Sequence, residues 1–126
     1  MDINWNEDIP IYRQLRNRIV ELILESVLDD GDALPSIRNA AAEYRLNPLT
    51  VLKGYQELVS EGLVKKKRGR GMFITDGARR RLLQNERQQF LDKKWPNVVA
   101  IIHRLGLDTR TLLKAAQQTF DTRDKK

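Results

Sequence analysis

Leu49, Thr50 and Lys53 put a methyl-bearing side chain, a hydroxyl and a flexible cation within five residues. If the segment from Asn47-Pro48 is a helix, about 100° per residue turns these three, with Gln56 and Glu57, away from the apolar stripe of Val51, Tyr55 and Leu58. Such groups match the edges of DNA bases. A leucine can touch a thymine methyl, a threonine can hydrogen-bond a base or a phosphate, and a lysine can reach guanine acceptors or a phosphate. The competing reading is an ordinary solvated helix face, which an exposed leucine beside a threonine fits less well. A second cluster follows. Five of the six residues Lys65 to Arg70 are basic, and Gly69-Arg70-Gly71 separates Leu63-Val64 from Met72-Phe73-Ile74-Thr75. That spacing predicts a hairpin. Glycines at its tip allow the backbone to approach a phosphate or a groove floor, and an arginine there can enter a narrow minor groove. For the basic run alone, a solvated cationic turn is an equally good reading. Met72 and Phe73 are assigned to hairpin packing rather than base stacking.

Helices must position these groups. Pro35-Ser36 marks a start, with the Ser36 hydroxyl able to accept from an orphan backbone N–H, and Ile37, Ala40, Ala41 and Tyr44 recur at helical spacing. Asn47 is a good N-cap for the next helix, and Pro48 falls where its missing N–H costs nothing. Val51, Tyr55, Leu58 and Val59 share its inner face. Arg45, Leu46 and Asn47 separate the two helices, as suits a helix-turn-helix, in which the N-terminal residues of the second helix meet base edges. A hairpin directly after it is placed as a wing. Upstream, Ile11, Leu15, Ile19, Leu22 and Ile23 predict a first helix from about Ile9 to Val27, with Asp8 as cap and Pro10 in its first turn. Trp5 is placed over one end of the core.

After Asp76-Gly77, a polar helix is expected over Ala78 to Lys94, ended by Trp95-Pro96. Val98, Val99, Ile101, Ile102 and Leu105 then form a dense apolar helix stopped by Gly106. Asp108 caps a last helix carrying Leu112, Leu113, Ala116 and Phe120, and Asp121 to Lys126 are expected to fray. Two short helices cannot bury such faces alone. A two-fold partner could cover them, and folding back on the rest of the chain is the alternative.

Composition excludes several classes. Hydrophobic residues at 40% support a folded core, while 32% charged residues and short apolar runs argue against a membrane protein. Asp2, Glu7 and Asp8 precede the first apolar stretch, unlike a secretory signal, and zero cysteines exclude disulfides and thiolate metal sites, which fits the cytoplasm. Asp29, Asp30 and Asp32 form a carboxylate cluster, read as a solvated turn rather than a metal site. His103 is the single histidine and lies in an apolar run without a Ser or Cys nucleophile motif, so it is read as packed or interfacial and catalysis finds no support. Gly69-Arg70-Gly71 lacks the strand-to-helix context of a nucleotide-binding loop. Charge is divided unevenly: residues 1–62 carry a net −5 and residues 63–126 a net +11. The basic charge begins at the hairpin and continues through Arg79-Arg80-Arg81, so a polyanion should be steered there with salt-dependent affinity.

The segment from Ile9 to Thr75 resembles the N-terminal winged-helix domain of GntR-type bacterial transcription regulators. The resemblance rests on Pro10, Ile11, Tyr12 and Leu15; Gly31 and Leu34-Pro35-Ser36-Ile37-Arg38; Asn47-Pro48 with Thr50-Val51; Tyr55 and Leu58; Gly62-Leu63; and Gly69-Arg70-Gly71 with Phe73-Ile74. Asn47-Pro48-x-Thr50-Val51 and the short C-terminal region are most similar to the YtrA-like subgroup, whose members have a small helical dimerisation segment, no large ligand-binding domain, and often control transporter operons. The resemblance implies that Arg38 holds the DNA backbone or a base, that Asn47, Leu49, Thr50 and Lys53 form the end of the recognition helix, and that Gly69 and Arg70 tip the wing. Ser36, Lys66 and Arg68 complete the expected DNA-contacting set. Two positions depart from the subgroup: Leu49 stands where a polar residue is usual, and Gly54 where alanine is usual.

The expectation is therefore a mainly α protein with a small β-hairpin. It comprises a winged helix-turn-helix over residues 9–75, a connector helix over 76–94, and a helical dimerisation segment over 95–122 built on Val98, Ile101, Ile102, Leu105, Leu112, Leu113 and Ala116. The expected function is transcription regulation without enzymatic activity, cofactor or metal: a repressor binding a palindromic operator in double-stranded DNA as a homodimer. A small-molecule effector of unknown identity is left open, and no membrane partner is expected. The alternatives are a winged-helix protein-interaction module and a nonspecific architectural DNA binder.

Overall fold

Side-chain caps and left-handed turns punctuate the chain. The computed structural model describes residues 5–124. They form α1 (Ile11–Leu24), α2 (Ile37–Tyr44), α3 (Pro48–Ser60), β1 (Val64–Lys67), β2 (Gly71–Ile74), α4 (Ala78–Gln89), a single π-helical turn (Phe90–Lys94), α5 (Trp95–Leu105) and α6 (Thr109–Asp124). The chain divides into two compact units, residues up to Gln84 and residues from Asn85 onward.

In the first unit, Ser36 Oγ accepts from the Asn39 N–H and starts α2, and Asn47 Oδ1 accepts from the Leu49 N–H and starts α3. Between them Arg45 takes a left-handed φ of 55°, and the Leu46 N–H returns to the Ala41 carbonyl, which closes the end of α2. α1 is shorter than expected. Asp8 does not cap it, and Pro10 occupies the cap position without a side-chain hydrogen bond. Gln14 closes the segment before the helix instead, its amide oxygen accepting from the Asn6 N–H and its NH₂ donating to the Ile9 carbonyl. At the other end Ser26 turns left-handed (φ 60°), so the helix stops at Leu24 and not at Val27. Ile11 is 41% exposed and Val59 is 38% exposed, so neither belongs to the stripe it was assigned to.

The core joins Leu15, Ile19, Val20 and Ile23 of α1 to Ala40 and Ala41 of α2 and to Val51, Tyr55 and Leu58 of α3, and Val64 and Ile74 close it from the hairpin. Trp5 packs edge-on to Tyr44, with ring centroids 6.3 Å apart. Val64 pairs with Ile74 and Lys67 with Gly71 in an antiparallel hairpin. Its turn is Arg68-Gly69-Arg70, where Gly69 has φ 73° and the Arg70 N–H donates to the Lys67 carbonyl. That geometry favours glycine. The loop before α2 runs along the other edge of β2. The Gly31 N–H donates to the Ile74 carbonyl, the Ile74 N–H to the Asp32 carbonyl, and the Leu34 N–H to the Met72 carbonyl. This second set of backbone bonds holds the hairpin against the segment that leads into the helix-turn-helix. It also explains the acidic cluster: Asp32 Oδ2 accepts from the Asp29 N–H, and Asp30 Oδ2 from the Gly77 N–H. Among the described residues no group of His, Cys, Asp and Glu is arranged to hold a metal.

Ala78 and Leu82 of α4 are buried with this core. Arg79 Nε donates to the Leu24 carbonyl at the end of α1, and Arg81 donates to the Gly62 carbonyl just past α3. Arg79 thus satisfies an orphan carbonyl at the negative pole of α1, and Arg81 brings a cation to the carbonyl that follows the C-cap of α3.

In the second unit, Trp95-Pro96 does not end a helix. A proline inside a helix lacks a donor and crowds the carbonyl four residues back. Here the wider π turn absorbs it, with the Trp95 N–H reaching the Phe90 carbonyl five residues back and Pro96 in the first turn of α5. Gly106 (φ 65°) ends α5 in the left-handed conformation, and Thr111 Oγ donates to Asp108 at the start of α6. α6 runs to Asp124, and Lys125 and Lys126 of the segment expected to fray lie outside the described residues. No helix among the described residues is long and apolar enough to cross a membrane.

Candidate nucleic-acid interface

The inner face of α3 is sealed by Val51, Gly54, Tyr55 and Leu58, but its first turn is open. Leu49 is 71% exposed, Asn47 and Lys53 are exposed, and Thr50 is half-buried. Pro48 has no N–H, and the Asn47 side chain accepts from the Leu49 N–H, so the amide NH₂ of Asn47 remains free to donate. Ser36 is used in the same way at α2. Its oxygen is engaged by Asn39, and its hydroxyl proton is left over. Arg38, in the first turn of α2, is exposed and forms no ion pair among the described residues.

The hairpin presents Lys65, Lys66, Arg68 and Arg70 to solvent, none paired with a carboxylate among the described residues. Lys67 differs. Its Nζ lies 4.5 Å from the centre of the Phe73 ring and braces the hairpin by a cation–π contact. Phe73 is therefore packing, and it also bridges to Ala33. Arg79 and Arg81 are engaged at helix ends, which leaves the hairpin cations and the exposed Arg80 as the cationic surface of this part of the unit.

α1 supplies the flank of α3 that sequence reasoning left bare. Tyr12 meets Lys53, Arg13 lies 3.8 Å from Glu57, and Arg16 grips Glu61 with two bonds of 2.8 and 2.7 Å. These contacts advance in the same direction along both helices, so α1 and α3 run side by side in parallel sense. Gly54 allows the approach: a Cβ there would stand 3.0 Å from the Tyr12 carbonyl oxygen. The Lys53–Tyr12 contact had no sequence signal, because the two residues belong to helices whose register only the packing sets.

Tyr55 ties the motif together. Its ring is buried and its hydroxyl donates to the Pro35 carbonyl at 2.9 Å, fixing the loop that leads into α2. Burial, reinforced by Tyr44 and Glu43, pushes its pKa well above the ordinary 10.0, so it stays a neutral donor.

A helix-turn-helix with an exposed second-helix start and a cationic hairpin packed on the same core are the parts of a winged helix, and the comparisons with known proteins agree. The family model for bacterial regulatory proteins of the gntR family matches residues 11–74. The chain is similar to the HTH-type transcriptional repressor YtrA of Bacillus subtilis, with 31% identity over 112 residues covering 89% of this chain and 85% of that one. Among solved structures, a transcriptional regulator from Oenococcus oeni aligns with a TM-score of 0.68 at 31% identity, covering 95% of this chain and 97% of that one. A GntR-family regulator from Bacteroides thetaiotaomicron aligns with a TM-score of 0.70 at 26% identity, covering 90% and 98%. The chain belongs to the gntR family of bacterial regulatory proteins, DNA-binding transcription regulators rather than enzymes.

Proposed function

We propose that this protein is a sequence-specific repressor that binds a palindromic operator as a homodimer. The observation that carries the reading is the open end of α3, where Leu49 is 71% exposed next to Asn47 and Thr50 on a helix whose inner face is sealed into the core. A large apolar side chain held in water at a helix N-terminus has an occupation in the major groove, against a thymine methyl. Arg38, Lys53, Lys66, Arg68 and Arg70 then neutralise phosphates around it, with Ser36 and Asn47 donating to the backbone and Gly69 letting the wing approach closely. Such a protein acts where the chromosome is, in the cytoplasm.

The dimer reading rests on the second unit. Val98, Ile101, Leu105 and Leu113 of α5 and α6 are exposed, and Ile102 and Leu112 are only half-buried. A two-fold partner covering these faces would also set two recognition helices on paired half-sites. Removal of residues 95–126 should then give a monomer with far weaker operator binding, read by sedimentation and titration. Unchanged mass and affinity would dismiss the dimer.

Selection of bound fragments from random duplex DNA, followed against salt, tests the whole reading. A palindromic consensus is expected, and its genomic copies should fall upstream of a transporter operon if the subgroup's habit holds. Salt-sensitive binding without a consensus would favour an architectural DNA binder. Absence of binding at low salt would leave a protein-interaction module.

A further inference from the structure

We propose that Tyr12 is a positioning residue that aims Lys53 at a DNA phosphate, so that Lys53 holds the backbone and does not read a base. The proposal rests on the DNA-binding reading above and deepens it. Lys53 lies four residues beyond Leu49, on the same face of α3. Its ammonium does not extend along the open end of the helix. It leans sideways onto α1, with Nζ 4.2 Å from the centre of the Tyr12 ring.

Groove dimensions decide what such a group can reach. The major groove is about 12 Å wide and a helix with its side chains about 10–12 Å across, so a recognition helix fills the groove from wall to wall. A side chain bent over the neighbouring helix therefore stands at the wall, where phosphates run, and not at the floor, where base edges are. The contact is also built in. Gly54 brings the α1 backbone so near that the Tyr12 carbonyl would be 3.0 Å from a Cβ, which fixes the ring beside Lys53. Glu57, one turn further on, could have drawn the ammonium, but it pairs with Arg13. Lys53 consequently has no carboxylate partner among the described residues. An ammonium on a ring face uses the face for one side and retains N–H donors for a phosphate on the other.

The test uses the full-length protein and two duplexes, the consensus from selection and an unrelated sequence, titrated from low to high salt. Lys53→Ala is expected to weaken both duplexes by a similar factor, roughly fivefold to tenfold at low salt, and to reduce the salt slope by about 0.9, the value of one phosphate. Tyr12→Leu should weaken both by a smaller factor, Tyr12→Phe should bind as the parent does, and Tyr12→Leu should add nothing once Lys53 is alanine. Melting curves identify any variant that binds poorly because it is unfolded; Tyr12→Phe and Lys53→Arg keep the question answerable in that case, since both should retain the parental slope. A loss confined to the consensus duplex, an unchanged slope in Lys53→Ala, or additive effects of the two changes would overturn the proposal. A parent protein that binds neither duplex at low salt would instead overturn the DNA-binding reading itself, an outcome distinct from binding with an unaltered slope.

Discussion

Gly54→Ala should destabilise the protein, although alanine is the better helix former. The change adds one methyl group in the middle of α3. In an open helix that substitution gains about 1 kcal/mol. Here the added Cβ would lie 3.0 Å from the Tyr12 carbonyl oxygen and 3.3 Å from Leu15 Cδ2. Carbon-to-oxygen contacts settle at about 3.3–3.6 Å, so α1 and α3 must part by a few tenths of an ångström. Neither neighbour yields easily: the Tyr12 carbonyl is part of the α1 backbone, and Leu15 is fully buried. Moving α1 outward would loosen its packing against the rest of the core. Overpacking of this kind costs about 1–3 kcal/mol. Set against the propensity gain, the net loss is roughly 1 kcal/mol, or a fall in Tm of about 4–8 °C for a unit of this size. Thermal and urea unfolding followed by circular dichroism would measure it. The exposed position 56 on the same helix supplies the comparison. There Gln56→Ala should exceed Gln56→Gly by about 1 kcal/mol. If alanine proved stabilising at position 54 to the same degree, the close approach of α1 to α3 would be refuted, and with it the geometry that places Tyr12 over Lys53.

Three further outcomes are expected. Ser36→Ala and Asn47→Ala should each cost about 1 kcal/mol of stability in the absence of DNA, because each side chain satisfies an N–H at a helix start; unchanged unfolding curves would show the caps to be idle. Tyr55→Phe should cost about 1 kcal/mol for the hydrogen bond to Pro35 and should flatten the alkaline limb of stability. The folded pKa of Tyr55 is raised above 10.0, so its contribution is complete below pH 10 and is lost as pH rises toward the folded value; urea titrations between pH 8 and pH 11 on the parent and the variant would reveal an equal slope if this is wrong. Lys66→Ala should weaken all duplexes alike and lower the salt slope by about 0.9, and a change in sequence preference would remove Lys66 from the phosphate-contacting set.

Local chemistry made much of the first unit legible. Ser36 and Asn47-Pro48 are start signals whose effect lies within three residues, and Gly69 answers a turn that needs a positive φ. The misreadings share a different origin. Ile11 and Val59 sit at the edges of apolar stripes, where the shape of the opposing helix decides burial, and periodicity cannot see that helix. Pro96 was taken as a stop because proline disrupts an α-helical ladder, but a π turn changes the ladder and removes the conflict. The loop reading of the acidic segment after α1 holds, but residues 31–34 of that loop do more than turn. They pair with β2 through backbone groups, which leave no mark on residue type.

Charge shows the same division most sharply. By residue type, Arg79 and Arg81 are as good a phosphate contact as Lys66 or Arg70. Their place in the fold gives them other work, at the carboxyl ends of α1 and α3, where a cation is favoured and the carbonyls would otherwise lack donors. Lys67 is likewise committed to Phe73. Of the net charge of +11 over residues 63–126, +7 lies within the first unit, and even that overstates what the unit can offer DNA. Counterion release counts cations that are free to meet phosphates, so the salt slope should follow Lys65, Lys66, Arg68 and Arg70 of the hairpin, with Arg38, Lys53 and Arg80, and not the total. Loss of Arg79 or Arg81 should accordingly be felt as instability of the first unit, while loss of a hairpin cation should be felt only when DNA is present.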